Sequence, residues 1–143
     1  MALNVDHLLR TAATLEQALI ALNRPLDPAS VDYDLYRNAA IKSFELSLET
    51  AGKLLRKALK AYTGDPRSVD RLVFNDVLRQ AGKHGLFDLA AVERWLAYRA
   101  NRNSTAHDYG VEFATETLKL LPDYLADVRT LAAALQQVFD AAG

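Results

Sequence analysis

The segment DYDLYRNAAIKSFELSLETAGKLLRKALKAY, residues 32–62, decides the fold of this chain. Its apolar residues recur at every third or fourth position, which predicts one amphipathic helix extending over about 45 Å at about 1.5 Å per residue. Gly64 and Pro66 should end this helix, because glycine suits a left-handed cap and proline cannot continue a helix. The residues predicted to lie on or near its buried face are Leu35, Ala39, Phe44, Leu48, Ala51, Leu55, Ala58, Leu59 and Tyr62.

The same periodicity predicts a helix on each side of this segment. The first runs from about Val5 to Leu22 and should end at the two prolines within residues 23–28. The other is shorter, could be capped by Ser68 or Asp70, and should stop at the basic and glycine-containing residues 83–85. Its apolar residues are Leu72, Val73, Val77 and Leu78.

Two further helical stretches complete the chain. One begins at Asp88, whose carboxylate can cap it. The last follows Gly110 and runs to about Ala141, and within it Pro122 predicts either a kink or the first turn of a separate helix. The residues expected to face inward from the stretch after Asp88 are Leu89, Val92, Trp95, Leu96 and Ala100.

No segment alternates polar and apolar residues with period two, so the predicted fold class is all-α. We expect an up-and-down four-helix bundle with a short additional helix, forming a single domain over residues 1–143.

Composition excludes several classes of protein. Half of the 143 residues are hydrophobic and 24% are charged, without an apolar run that could span a membrane or act as a secretory signal, so we expect a cytoplasmic protein with no membrane contact. The absence of cysteine excludes disulfides, thiolate metal sites and cysteine nucleophiles. Because the net charge is −1, any contact with nucleic acid must be local.

Four residues near position 105 have side chains suited to phosphate chemistry: Arg102, Asn103, His107 and Tyr109. Arginine binds phosphate, histidine transfers protons near neutral pH, and a tyrosine hydroxyl can be modified. The spacing alone is weak, because Arg79 and His84 repeat it at a predicted helix end. Only His107 is followed two positions later by a tyrosine, and this context distinguishes the two.

Helix geometry constrains how these side chains could meet. Residues five apart lie about 140° apart around a helix, whereas residues seven apart nearly coincide. Arg102 and Tyr109 would therefore share a face, while His107 would stack over Asn103. For Arg102 and His107 to contact one phosphate, either the helix loosens before Gly110 or a second copy supplies the facing half. We favour the homodimer, with a two-fold composite cleft.

Other candidates have simpler alternatives. Glu45 and Glu49 lie one turn apart in the long helix, where they could form an acid pair or make ion pairs with Lys42 or Lys53. We keep Glu45 as a supporting site residue.

Two arginines precede the motif. Arg94 and Arg99 could guide RNA phosphates or be ordinary exposed helix arginines, and we keep Arg99 as a supporting candidate. The three histidines show no metal-ligand spacing, so no metal site is predicted.

The pattern Arg102-Asn103-x-x-x-His107-x-Tyr109 resembles the Arg-x4-His-x-Tyr motif of HEPN-family toxins. These toxins are encoded beside minimal nucleotidyltransferase (MNT) antitoxins and are also known as nucleotidyltransferase substrate-binding proteins. The similarity includes Tyr36-Arg37, Phe44-Glu45-x-x-x-Glu49, Lys53-Leu54-Leu55 and parts of residues 77–86. It covers most of the chain, from about Tyr33 to Leu135.

The resemblance implies a metal-independent ribonuclease that needs no cofactor and acts on RNA, with tRNA as the suggested substrate, as a homodimer. His107 would take the proton from a ribose 2′-hydroxyl as that oxygen attacks the adjacent phosphate. Arg102 would stabilise the charge that develops on the phosphoryl oxygens, and Asn103 would orient either group or the substrate.

The resemblance also implies that the cognate MNT nucleotidyltransferase antitoxin AMPylates Tyr109. The added phosphates would occupy the phosphate site beside Arg102 and His107 and block RNA. The alternative is a noncatalytic substrate-binding or regulatory subunit of a small nucleotidyltransferase.

Overall fold

The long helix predicted from residues 32–62 forms the central element of the fold. In a computed structural model, which describes residues 4–105 and 111–142, it is α2, Val31–Leu59, followed by a 3₁₀ turn at Lys60–Tyr62. The Oγ atom of Ser30 caps its start by accepting a hydrogen bond of 3.1 Å from the backbone N–H of Tyr33. Acidic residues in its first turn and basic residues in its last complement the helix dipole.

The predicted all-α class and four-helix bundle are confirmed. Over the described ranges the chain forms six α-helices and no strand, and the four long ones make up the bundle. The other helices are α1 (Asp6–Leu22), α3 (Pro66–Asp70), α4 (Phe74–Lys83), α5 (Leu89–Thr105) and α6 (Val111–Ala142). Helix α2 packs against α1, α6 and α4, and α4 in turn packs against α5.

The predicted single short helix after residue 66 was wrong, because two helices stand there. Pro66, whose fixed φ and missing N–H suit a first helical position, starts α3 earlier than expected. Val73 is extended (φ −71°, ψ 158°) and separates α3 from α4. Neither Ser68 nor Asp70 caps a helix: Ser68 lies inside α3, where its hydroxyl donates to the backbone oxygen of Asp65.

Helix α6 continues through Pro122, so the alternative of a separate helix starting there was wrong. Pro122 is exposed and removes only one backbone hydrogen bond. The opposite face of α6 is apolar and buried both before and after the proline, at Leu121, Tyr124, Val128, Leu131 and Leu135. Tertiary burial therefore outweighs the local penalty.

Aromatic side chains fill the centre of the bundle where α2, α5 and α6 meet. The ring of Tyr124 makes edge contacts with Phe44, Trp95 and Tyr98. Its buried hydroxyl shares a hydrogen bond with the Oγ atom of Ser47, which explains how a phenol can lie in the core.

Four predicted inward-facing residues are exposed instead, and all lie at or near helix ends. Leu35 and Leu89 expose 60% and 77% of their surface, Tyr62 is exposed at the 3₁₀ turn, and Ala100 is exposed on α5. No described helix combines the length and the apolar character needed to cross a membrane.

Candidate functional site

Helix α5 carries the first half of the motif, and several contacts fix its position. At its start, Asp88 Oδ1 accepts a hydrogen bond of 2.8 Å from the backbone N–H of Ala91, as predicted for a cap. Near its end, the Oδ1 atom of Asn101 accepts one of 3.0 Å from the hydroxyl of buried Thr117 on α6. Asn101 immediately precedes Arg102, so this bond anchors the backbone of the motif.

A polar cluster further back on α5 ties that helix to α6. The Nε and Nη2 atoms of Arg94 each donate to a carboxylate oxygen of Asp127 at 2.9 Å, and the hydroxyl of Tyr98 donates to the same carboxylate. Burial, followed by this hydrogen bond to Asp127, raises the pKa of Tyr98, so its hydroxyl stays protonated as a donor. These contacts favour a structural role for Arg94 over a role in guiding RNA.

Asp127 should make stability depend on pH. Burial acts to raise the pKa of Asp127, but the hydrogen bonds from Arg94 and Tyr98, with the charge of Arg94, hold it below its usual value. Its contribution is therefore present above the unfolded-state pKa of about 4 and is lost as the pH falls through the lower folded-state pKa.

We expect Asp127→Asn to lower the free energy of unfolding by about 2 kcal/mol at pH 7, since the hydrogen bonds from Arg94 and Tyr98 lose their charged acceptor. The difference from wild type should shrink below about pH 4, where the unfolded wild-type residue takes up a proton. Urea denaturation at pH 7 and pH 3 measures this. Glu116→Gln on the same helix, in an exposed ion pair with Lys119, is the control and should change little. An equal loss at both pH values would contradict the assignment.

Arg102 meets Glu45 across the space between α5 and α2. The Nη2 atom of Arg102 lies 3.6 Å from Oε2 of Glu45, and the two side chains expose 31% and 22% of their surface. Glu45, proposed as a supporting residue, is thus brought to the motif arginine instead of pairing with Lys42 or Lys53. The neighbouring Glu49 does pair with Lys53, at 3.4 Å, as expected for residues one turn apart.

Both residues line a groove of about 340 Å³ between α2, α4 and α5. Five cationic and two acidic side chains line it, which leaves an excess of positive charge in a chain whose net charge is −1. The cationic residues are Lys42, Lys53, Arg56, Arg99 and Arg102, and the acidic ones are Glu45 and Glu49. The groove is a local basic surface of the kind that sequence composition required for any contact with nucleic acid.

Arg99, the second supporting candidate, also lines this groove. Its guanidinium carbon lies 5.0 Å from the centroid of the Phe74 ring, a cation–π arrangement. Arg56 is held differently, because its Nη1 atom donates a hydrogen bond of 2.9 Å to the backbone oxygen of Val69.

Of the three remaining motif residues, the structure describes only Asn103. Asn103 is exposed on α5, one position beyond Arg102. His107 and Tyr109 lie outside the described residues. So does the segment before Gly110 in which the helix was expected either to loosen or to continue. Among the residues that are described, no group of three or more His, Asp or Glu could hold a metal ion.

The second match to the arginine–histidine spacing has structural contacts only. Arg79 pairs with Asp76 at 3.0 Å in the first turn of α4, and His84 follows the last residue of that helix and stacks on Tyr62. Neither residue lines the groove. This supports the interpretation that spacing without the tyrosine carries no function.

Sequence reasoning missed Gly52, Phe74 and Arg56 as groove residues. Gly52 is a poor helix former inside a long helix, and a glycine there can mark close packing, which is the one signal that could have been used. Phe74 showed no such signal, because its place in the groove depends on the break between α3 and α4.

Comparisons with known proteins agree with the fold and with the family resemblance. The family described as "nucleotidyltransferase substrate binding protein like" matches residues 3–137. A Haemophilus influenzae protein named "probable ribonuclease HepT" is 28% identical over 139 residues, which cover 94% of this chain and 93% of that protein. A solved structure from the same organism, described as the fold of a substrate-binding domain of a nucleotidyltransferase, has a TM-score of 0.82 and 27% identity. It covers 94% of this chain and 100% of that one.

Proposed function

This chain belongs to the nucleotidyltransferase substrate-binding protein-like family, and we propose that it is a HEPN-type toxin endoribonuclease. One observation carries the proposal: Arg102 of the motif lies at a basic groove, with its guanidinium beside the carboxylate of Glu45. A groove with this charge suits a polyanion, and the similar protein named as a probable ribonuclease makes RNA the preferred one.

The proposed reaction is transfer of a phosphodiester to the neighbouring ribose oxygen. His107 removes the proton of a 2′-hydroxyl, a 2′-oxygen–phosphorus bond forms, and the bond from phosphorus to the 5′-oxygen breaks. The leaving 5′-oxygen takes up a proton, so the products are a 2′,3′-cyclic phosphate and a 5′-hydroxyl. No metal is needed in this scheme, because Arg102 stabilises the charge on the phosphoryl oxygens.

Glu45 is a positioning residue in this scheme. A carboxylate beside a guanidinium restricts the orientation of that planar group, and so helps to aim it at the phosphate. Asn103, exposed one residue further along, orients the substrate or His107.

The active unit that we propose is a homodimer. Arg102 lies within α5, and a continuing helix would place His107 about 140° away from it. Two copies related by a two-fold axis bring the arginine of one and the histidine of the other to the same phosphate. Light scattering at micromolar concentration should give the mass of a dimer, and a monomer would contradict this arrangement.

The proposed role of Tyr109 is to regulate the ribonuclease and not to take part in catalysis. A tyrosine hydroxyl is a poor base at neutral pH but accepts a nucleotidyl group once a partner enzyme deprotonates it. We propose that the cognate MNT nucleotidyltransferase antitoxin adds AMP there. The added phosphates then compete with RNA for Arg102 and for the cationic side chains of the groove.

The central test is cleavage of RNA by the purified protein in the presence of EDTA. We expect total tRNA to be cut without added metal and the fragments to end in 2′,3′-cyclic phosphates, detected by resistance to 3′-end ligation until the cyclic phosphate has been opened and removed. Loss of cleavage on chelation, with recovery on adding Mg²⁺, would contradict a metal-independent reaction.

A second candidate function is a noncatalytic subunit that binds the substrate of a small nucleotidyltransferase. The solved structure described as such a domain favours it, since its fold covers nearly the whole chain. Growth separates the two functions: induction of the ribonuclease alone should arrest growth, and induction of a binding subunit should not. Co-expression of the neighbouring transferase should restore growth only in the first case.

A further inference from the structure

Arg99 is a cationic side chain of the groove that has no carboxylate partner among the described residues. Arg94 pairs with Asp127 and Arg102 with Glu45, whereas the contact of Arg99 is with an aromatic ring. A cation–π contact holds a guanidinium in place without neutralising its charge. Its N–H donors therefore remain available for an anion in the groove.

The ring of Phe74, which Arg99 contacts, lies where α2 and α4 approach each other closely. A Cβ atom added to Gly52 would lie 2.5 Å from Cε2 of Phe74, closer than any side chain tolerates. Glycine at position 52 of α2 therefore leaves the space that the ring occupies. The seat of Arg99 is built from three helices: Gly52 on α2, Phe74 on α4 and Arg99 itself on α5.

This seat lies one helical turn from Arg102. Three residues along α5 correspond to a rise of about 4.5 Å, and residues three apart lie on neighbouring parts of one helix face. Both arginines line the same groove, together with Lys53. The ion pair of Lys53 with Glu49 is largely exposed, with 72% and 66% of the side chains accessible, so it competes weakly with a phosphate.

We propose that Arg99, seated on Phe74, forms a second phosphate subsite, which binds the RNA phosphate next to the one cleaved at Arg102. This inference rests on the proposed ribonuclease function. It assigns separate tasks to two arginines of one helix: Arg102 acts on the phosphate that reacts, and Arg99 holds the neighbouring phosphate. Binding at Arg99 is the same in the ground state and the transition state, so it affects affinity and not the chemical step.

Arg99→Ala is the direct test, with Arg10→Ala on α1 as the matched control. Both variants lose one positive charge. Arg10, however, is exposed and lies outside the groove. The probe for binding is a labelled 2′-O-methyl RNA oligonucleotide, which cannot be cleaved because it has no free 2′-hydroxyl. The cleavable all-ribose oligonucleotide of the same sequence gives kcat and KM.

We expect Arg99→Ala to raise both the Kd of the 2′-O-methyl probe and the KM about tenfold, with kcat nearly unchanged. The slope of log Kd against log salt should fall by about one, as for loss of one phosphate contact. Arg10→Ala should leave all four quantities at their wild-type values. Equal Kd values for the two variants, or a loss confined to kcat, would overturn the subsite.

Phe74 is a positioning residue in this scheme, and its variants test the seat. Phe74→Leu keeps an apolar side chain but removes the ring face, so Kd should rise about threefold. Phe74→Tyr keeps the ring and should bind like wild type. A thermal melt checks that each variant is folded, and if Phe74→Leu and Phe74→Tyr bind equally well, the cation–π seat is refuted.

Failure of the subsite and failure of the proposed function give different results. If the subsite is wrong, His107→Ala still lowers cleavage by at least about 10²-fold, while Arg99→Ala changes nothing. If the function is wrong, the wild-type protein does not cleave the all-ribose oligonucleotide, or His107→Ala cleaves it at the wild-type rate, and either result also rules out the subsite.

Discussion

Replacing His107 by alanine should lower RNA cleavage by about 10²–10⁴-fold, since this is the usual contribution of a positioned proton acceptor. Replacing Arg102 by alanine should lower it by about 10²–10³-fold, the cost of removing one group that stabilises developing negative charge. Both effects should fall on kcat, because each interaction is strongest in the transition state. Single-turnover cleavage of a labelled RNA oligonucleotide measures them.

The chain supplies its own matched controls for these two variants. Arg79 and His84 have the same spacing as the motif pair, but they contact Asp76 and Tyr62 and lie outside the groove. Arg79→Ala and His84→Ala should therefore cleave RNA at the wild-type rate. Wild-type cleavage by either Arg102→Ala or His107→Ala, in protein with an unchanged melting temperature, would refute the proposed roles.

Arg102→Ala also leaves Glu45 without its guanidinium partner at a partly buried position. Arg102→Lys restores a positive charge there but cannot form the planar, two-donor contact of arginine. We expect Arg102→Lys to fold like wild type and to remain at least about tenfold slower in cleavage. This variant separates a role in phosphate chemistry from a role in folding.

Tyr109→Phe should abolish all addition of AMP by the partner transferase, because no phenol oxygen remains to accept the nucleotidyl group. After co-expression, intact-mass spectrometry of the wild-type protein should show one or more increments of AMP, and the spectrum of Tyr109→Phe should show none. The cleavage activity of Tyr109→Phe should equal that of unmodified wild type. Its toxicity should no longer be relieved by the transferase, if modification is the means of control.

Two controls belong to this experiment. Tyr62→Phe removes an exposed phenol outside the motif and should leave the AMP increments unchanged. Persistence of the increments in Tyr109→Phe would place the modification elsewhere and contradict the proposal. Relief of toxicity without any increment would show that the partner inhibits by binding.

The protein family could be predicted from the sequence alone. Arg102 and His107 at their spacing are no more informative than Arg79 and His84, and the tyrosine at position 109 distinguishes the two. The family match over residues 3–137 confirms the resemblance drawn from that motif. Residue types and their order are enough for this step, because chemistry depends on which functional groups are present.

The helices are likewise set by the sequence, since apolar periodicity and caps act over a few residues. The central helix, the Asp88 cap and the all-α class were confirmed. The errors are at positions whose burial depends on packing against another helix. Leu35 and Leu89 continue the apolar pattern of their helices but remain exposed. Pro122, locally a helix breaker, is carried within one helix because the buried stripe continues past it.

The groove is what only the tertiary structure decided. The sequence made Glu45 a supporting candidate for the site of Arg102, but it predicted no contact between the two residues and gave Phe74 no role. The packing of α4 between α2 and α5 brings Phe74 under Arg99 and leaves the groove that Arg102 and Glu45 share. Contacts between residues distant in the chain depend on which faces meet, and periodicity specifies only that a face is apolar, not which face it meets.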